Sequence, residues 1–444
     1  MFIKPMIGAL LCAQFVWVLP AAGAQAGAIT FSDSPAESTA ATSAESALSF
    51  SDAARKTLAA HPQFRQFALA LAAAKAREAQ AALKSGLELS GTLENVLGSG
   101  TVSGVKGAEL TLSLGSVFER GDKRGARMDV AQSASALLSV QNRIEALDVL
   151  TETGRNFVAL AAAQEALAAA ERALKLAQAT LSAIKSRVQA AQAPETKALN
   201  AEIAQVEAQL QVGHAKRRIE AAQHALALSW NEPDARPRVV MDVYSMPKVA
   251  DVADLIAQID TLPDIAQYGA QTRLAQAELG LARAQAVTDW RWNAGVRRLE
   301  ASNDQAFVVG VSIPLGQAKR QISFVREAEL NSQLPDLAAQ ATRLRLKTLL
   351  FGALKDLQSA IADEHVIRDH QLPQAKKVMQ LTMSGYDIGR YPYRDVALAQ
   401  AQVQALELKR LNAAQAYHLA RIEIERLTGA QLNILAASND LISE

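Results

Sequence analysis

The sequence is short of most of what chemistry at a conventional site requires. It holds one cysteine in 444 residues. That residue, Cys12, lies in an apolar leader, so disulfides, thiolate metal centres and cysteine nucleophiles are excluded from the rest of the chain. Aromatics make up only 5%, too few for a conventional aromatic-rich core. Neither sign of charge dominates: 46 Lys and Arg against 45 Asp and Glu leave +1, which argues against nucleic acid as a partner. Beyond the leader no apolar run reaches the length of a spanning helix. Gly-rich phosphate loops, nucleophile elbows and a convincing acid/base pair are also missing, so catalysis is not expected.

What is abundant is alanine, about a fifth of the chain, which favours long, closely packed helices. Lys4, the apolar stretch Ile7 to Leu19 and the small residues Ala22-Gly23-Ala24 read as an export signal over 1–24, with the mature chain starting near Gln25. Residues 25–47 are rich in Ser, Ala, Thr and Glu without periodicity and read as a flexible lead-in.

The remainder reads as two structural repeats, 48–240 and 241–430, each ordered helix, hairpin, very long helix, return helix, followed by a tail at 431–444. The halves align at Leu58 to Phe64 with Ile259 to Ile265, and again at Ala193-Pro194-Glu195 with Tyr391-Pro392-Tyr393. In the first long helix Leu160, Ala163, Leu167, Ala170, Leu174, Ala177, Leu181, Ile184 and Val188 follow spacings of three and four, a coiled-coil seam. The last helix carries a similar seam from Val396 to Leu427, broken only by Arg410. If Gly125 to Ala191 is one helix, it is roughly 100 Å long and needs partners throughout. Pro335 and Pro373 predict kinks or a broken start in the matching second-half stretch.

Four segments alternate with period two instead. Leu87, Leu89 and Leu93 oppose Glu88, Ser90, Thr92 and Glu94, and Leu110, Leu112 and Leu114 oppose Glu109, Thr111 and Ser113, giving a hairpin over 87–117. Trp290, Trp292 and Val296 oppose Arg291, Asn293 and Arg297, and Phe307, Val309 and Val311 oppose Ala306, Val308 and Gly310, giving a second over 290–315. Alternation of this kind fits barrel strands with lipid outside and water inside; it fits equally an amphipathic sheet on a soluble core. In the barrel case four strands cannot close, because the smallest common barrels have about eight, so several chains must contribute.

These parts in this order resemble the TolC-type outer-membrane efflux proteins, and among them the CzcC-like branch of heavy-metal export. The most specific stretch is Leu372-Pro373-Gln374-Ala375, Tyr386-Asp387-Ile388-Gly389, Asp395-Val396 and Leu427-Thr428-Gly429. Val311 to Leu315 is similar to the family's fourth strand, and Glu119 to Arg127 to a Gly-Lys-Arg segment of the metal-export branch, with Asp122 where a Gly is expected. The resemblance implies a mainly α chain with membrane β: a long coiled-coil α-helical barrel plus four strands per chain in a 12-stranded trimeric β-barrel. It further implies a homotrimer in outer-membrane lipid, extending into the periplasm, docked to a periplasmic adaptor and an inner-membrane pump of the proton-driven RND type. Without cofactor or enzymatic activity, such a chain is a passive exit duct for divalent heavy-metal cations of the cobalt, zinc and cadmium kind. Drug efflux, type I secretion and a soluble periplasmic coiled-coil scaffold or adaptor are the alternatives.

The family's inner tip closes at rest and carries acidic residues after the tip turn. Asp395 matches the first such position, while Leu398 stands where some members have a second acid. Tyr386, Gly389 and Arg390 complete the expected gate, with Tyr386 and Arg390 tying hairpins together. Without the resemblance, Asp395 is simply a negative charge at a helix start, Tyr386 a packed aromatic and Arg390 a solvated cation. The first-half tip Val188-Gln189-Ala190-Ala191 lacks the glycine of the second half, which predicts a tighter or less sharply bent turn there. Asp363, Glu364, His365, Asp369 and His370 have metal-like composition, but His370 leaves the shared face and a solvated charged face is expected.

Overall fold

The two hairpins form one sheet. The computed structural model describes residues 47–247 and 252–429; the export signal (1–24), nearly all of the lead-in (25–47) and the tail (431–444) lie outside the described residues. Strands β1 (Glu88–Glu94), β2 (Glu109–Phe118), β3 (Trp290–Leu299) and β4 (Asp304–Ser312) pair antiparallel in the order β1-β2-β3-β4. The central β2–β3 ladder joins the hairpins of the two halves, with Leu112 opposite Val296 and Thr111 opposite Arg297.

Alternation places polar and small residues on one face. Thr111 and Ser113 are buried there, the Ser90 and Ser113 hydroxyls are 2.8 Å apart, and Arg297 donates to Thr111 (2.9 Å), Glu109 (2.9 Å) and Glu94 (3.2 Å). The other face is bare: Phe307 is 90% exposed, and Leu89, Leu93, Leu112, Val309 and Val311 are exposed with it. An apolar face this continuous is not a soluble surface. Glycine keeps the polar face shallow, since a Cβ at Gly295 would run into the Leu112 carbonyl oxygen and one at Gly310 would meet the Asn293 amide.

Two long rods lead out of the sheet, and each returns as a second long helix. The first-half rod α3 (Lys123–Gln189) runs 67 residues without a break, about 100 Å, and returns as α4 (Glu195–Leu228). The second-half counterpart is interrupted where proline removes an N–H. Helix α7 (Gln317–Asn331) ends just before Pro335, which opens α8 (Leu334–Val366). A π-turn at Ile367–Gln371 then precedes Pro373 in α9 (Leu372–Asp387), where the Leu372 N–H reaches back five residues to Ile367. The widened turn takes up the missing Pro373 donor without ending the rod. Helix α10 (Tyr393–Thr428) returns alongside.

Shorter helices pack along the rods. These are α1 (Phe50–Ala60), α2 (Pro62–Ala81), α5 (Val252–Gln258) and α6 (Pro263–Ala286). On the sheet side α1, α2 and α6 lie against α3, and α6 also against α7 and α8. Ser49 starts α1 with a capping box shared with Asp52. Buried residues divide into five clusters along the chain. The largest centres on Leu350, Leu354, Tyr417 and Ile424 and another on Trp230, Phe157 and Leu160.

Two buried ion networks pin α10. Arg410, which breaks the apolar seam, donates to Glu364 from Nε (3.0 Å) and Nη2 (2.9 Å), and Arg368 reaches the other Glu364 oxygen at 3.2 Å. Glu364 is therefore buried, not on a solvated face. Farther along, Arg426 clasps Asp264 of α6 through two hydrogen bonds (2.9 and 3.1 Å) and Asp148 of α3 through a third (2.7 Å). Removing one partner of a buried pair strands the other charge. Arg426→Ala is therefore expected to destabilise by about 3 kcal/mol and to lower the Tm in detergent, with Asp264→Asn in the same chain recovering part of the loss. An unchanged Tm for Arg426→Ala would show that the clasp carries no stability.

Candidate functional site at the helical tip

The free ends of the rods form two tight turns, one per half. In the second, the helix ends with Gly389 at φ 77°, its N–H bonded to the Tyr386 carbonyl (3.0 Å), and the Arg390 N–H bonded to that of Gly385 (2.8 Å). Pro392 then precedes α10. The first turn has the same bonds without a glycine: Ala191 N–H to Val188 (3.0 Å) and Gln192 N–H to Arg187 (2.8 Å), with Pro194 before α4. Ala191 itself takes the left-handed conformation at φ 55°. The expected tighter or shallower first turn is not what the structure shows. The residue takes the strained geometry, which costs an L side chain about 1–2 kcal/mol, and the bend is as sharp as its glycine counterpart.

Tyr386 sits where the hairpins meet. Its ring packs edge-on to Tyr393 (6.2 Å between centroids), with the Arg187 guanidinium 4.8 Å and the Lys197 ammonium 5.6 Å from its centre. Around it Leu181, Ile184, Ala198, Ala201, Tyr393 and Val396 form a small buried cluster spanning both hairpins. Burial, and secondarily the neighbouring Tyr386 hydroxyl, raises the Tyr393 phenol above its ordinary pKa.

Arg187 supplies the polar tie. From the last turn of α3 it donates to the carbonyls of Tyr386 (3.3 Å) and Asp387 (3.4 Å) and pairs with the Asp387 carboxylate at 2.9 Å. Helix-end carbonyls attract a cation, so the position favours arginine twice over. Sequence reading missed Arg187, Lys197 and Asp387. The available signal was a basic residue in the final turn of the first rod, opposite the Tyr-Asp pair in the aligned second turn.

Asp395 lies in the first turn of α10, its N–H bonded to the Pro392 carbonyl (3.1 Å) and its carboxylate 3.6 Å from Arg394. It is half-exposed, placed to favour the helix start and still accessible to solvent. Arg390 is exposed and stacks loosely over Tyr391 at 6.0 Å. Among the described residues it makes no bond to the first hairpin, so Tyr386 joins the tie, Gly389 shapes the turn of its own hairpin, and Arg390 stands outside the tie. Leu398 is exposed.

Among the described residues no group of three or more His, Cys, Asp or Glu side chains could hold a metal ion. Asp369 is taken by Arg368 through two 2.8 Å bonds, which hold its carboxyl below the ordinary carboxylate pKa. Nor is any described helix long and apolar enough to cross a membrane. What the tip offers is a surface of fixed charge and a set of breakable ties.

No family model matches the chain. A curated relative, the cobalt-zinc-cadmium resistance protein CzcC of Cupriavidus metallidurans, is 23% identical over 315 residues, covering 70% of this chain and 75% of that protein. Among solved structures, CusC superposes with a TM-score of 0.72 at 16% identity, covering 85% of this chain and 91% of that one. The open state of the Neisseria gonorrhoeae MtrE outer-membrane channel gives 0.69 at 18%, covering 86% and 88%. The outer-membrane protein VceC of Vibrio cholerae gives 0.68 at 18%, covering 86% and 96%. These neighbours are membrane channels and outer-membrane proteins, not enzymes, and the chain has their fold.

The Arg187 tie combines an exposed ion pair with a cation–π contact, together about 1–2 kcal/mol. Arg187→Ala is expected to speed amide hydrogen exchange across 385–391 roughly tenfold while leaving the sheet unaffected. Unchanged exchange at the tip would mean that packing around Tyr386 alone closes the two hairpins together.

Proposed function

We propose that this chain, a TolC-type outer-membrane channel protein by sequence and fold, is the exit duct of a tripartite efflux system that exports divalent heavy-metal cations. The observation that carries the duct is the unfinished state of the single chain. Its sheet has two open edges and an apolar face with no cover among the described residues, and its rods form a layer with exposed apolar stripes on both outer helices. On α4 the stripe is Leu199, Ile203, Val206 and Leu210; on α9 it is Val378, Leu381 and Ile388. Both follow heptad spacing.

Three copies joined edge to edge satisfy each of these features. Four strands per copy give a 12-stranded barrel in the outer membrane, with the apolar face toward lipid and the Ser, Thr, Asn and Arg face toward water. Below it, α4 of one copy meets α9 of the next and the layers close into a tube through the periplasm. Head-to-tail contacts that close into a ring require this pairing of unlike edges.

The tip is the inner mouth. There a periplasmic adaptor and an inner-membrane RND pump deliver cargo, and the pump supplies the energy. Three Asp395 carboxylates around a narrow opening concentrate cations, while Tyr386, Gly389 and the Arg187 tie hold each chain's two hairpins in the closed arrangement. Arg390, exposed and without a first-hairpin partner in its own chain, is placed to reach a neighbouring copy. The metal assignment rests on the CzcC relative; Asp395 agrees with it without selecting a metal.

Two measurements test this reading. A deletion strain loaded with sublethal zinc, cobalt or cadmium is expected to retain more metal than its parent and to recover with the intact gene; equal retention for all three removes the metal assignment. In planar bilayers, Asp395→Asn is expected to weaken block by divalent cations several-fold, and undiminished block removes the acidic ring.

A further inference from the structure

Charge on the sheet is distributed unevenly between its two ends. Where the strands join the helices, segments 83–88, 118–127, 287–291 and 312–320 hold eight basic side chains against four acidic ones. At the hairpin-loop end, segments 94–109 and 297–305 hold three basic against four acidic.

Three of the four acidic groups at the helical end are already committed to neighbouring groups, and only Glu88, at the start of β1, is exposed and outside any ion pair among the described residues. Asp289 accepts from Lys123 Nζ (2.7 Å) and from the Arg120 N–H (3.0 Å), Glu119 takes Arg127 through two bonds (2.6 and 3.0 Å), and Asp122 caps the start of α3. Lys84, Arg120, Arg124, Arg291, Lys319 and Arg320 remain, all exposed, and among the described residues none of them forms an ion pair; Arg291 belongs to the polar face of the sheet and Arg124 to the first turn of α3, which leaves Lys84, Arg120, Lys319 and Arg320 for the rim. Arg120 shows where that charge lies. Two residues beyond Phe118 on the apolar face, its guanidinium stacks 4.7 Å from the Trp290 ring, and Trp290 in turn packs against Phe118 at 6.5 Å. Lys84 and Lys319 flank Leu87 and Leu315, both exposed at the rim of the same face.

Aromatic rings and unpaired cations bordering an apolar band are the chemistry of a headgroup zone, in which rings sit at the polar boundary and cations bind lipid phosphate. We infer that the sheet–helix junction is a binding surface for the phosphates of anionic glycerophospholipids in the leaflet facing the helices, contacted by Lys84, Arg120, Lys319 and Arg320. The inference rests on the proposal that the sheet meets lipid. It adds a specific headgroup class, on one side of the membrane only. The polarity of charge carries it: a barrel that merely needed an apolar band would have no reason to gather surplus cations at one rim.

The test uses the full chain, extracted in mild detergent, exchanged into nanodiscs of mixed phosphatidylglycerol and phosphatidylcholine, and released for native mass spectrometry of retained lipid. Phosphatidylglycerol is expected to be retained at least about fivefold over phosphatidylcholine at low salt, since one surface cation contributes about that factor. The preference is expected to vanish in K84Q/R120Q/K319Q/R320Q and to persist in K216Q/R218Q/K377Q, which neutralises exposed cations on α4 and α9. If loss of the Trp290 stack prevents folding, K84Q/K319Q/R320Q keeps Arg120 and is expected to lose most of the preference. Equal retention of the two lipids overturns the inference, as does a preference that survives the quadruple change because another copy's carboxylates hold the cations. Release of the chain from membranes by alkaline carbonate would instead overturn the membrane reading itself.

Discussion

Backbone hydrogen bonding at the two edges of the sheet is the constraint on which the rest depends. Inside a bilayer an unpaired N–H or C=O costs several kcal/mol, so a sheet bordered by lipid must close on itself. This one ends at β1 and β4 with its apolar face bare, and four strands are too few to close. In the proposed assembly copies of the chain complete it, and three sheets joined as a barrel would force the rods hanging from them into register as a tube. The apolar stripes on α4 and α9 answer that geometry from the helical side. Sheet and rods thus make the same demand independently.

Within one copy, the structure settles how two unlike halves behave alike. The first rod is continuous over 67 residues, whereas the second is assembled from α7, α8, a π-turn and α9. Proline accounts for each interruption. Beside the π-turn, Glu364 is held by Arg410 and Arg368, so the widened turn adjoins a fixed strut. The tips converge on the same backbone bonds although one has Gly389 and the other Ala191. The tie between them is not symmetric: Arg187 reaches across to the Tyr386–Asp387 carbonyls, and nothing equivalent runs the other way among the described residues.

Periodicity made the elements legible in the sequence, and register did the same for the faces. Leu89, Leu112 and Phe307 could be assigned to one face because alternation in a strand leaves no freedom, and the seam from Leu160 to Val188 could be placed because a long helix repeats its surface every seven residues. Long-range charge pairing was not legible. Arg410 read as a flaw in a seam until Glu364, 46 residues away, came opposite it. Arg187 meets Asp387 across 200 residues, which no local pattern encodes. Ala191 misled for a related reason: its strain is imposed by the two helices it joins, not by its own preference. Tyr386 and Gly389 were found through resemblance, and the polar contacts that give the tip its structure came only with the coordinates.

Closure by copies of the same chain is the central claim, and the scarcity of cysteine makes it directly measurable. With its only cysteine at position 12, a chain carrying Ile203→Cys on α4 and Leu381→Cys on α9 has two engineered thiols, each within about ten residues of the tip. In a ring of three, oxidation in native membranes should join α4 of each copy to α9 of the next, giving covalent dimers and trimers that reducing agent dissolves, while either single variant stays free of trimers. Monomer alone from the double variant, with both thiols accessible to a maleimide, would contradict the shared barrel and tube.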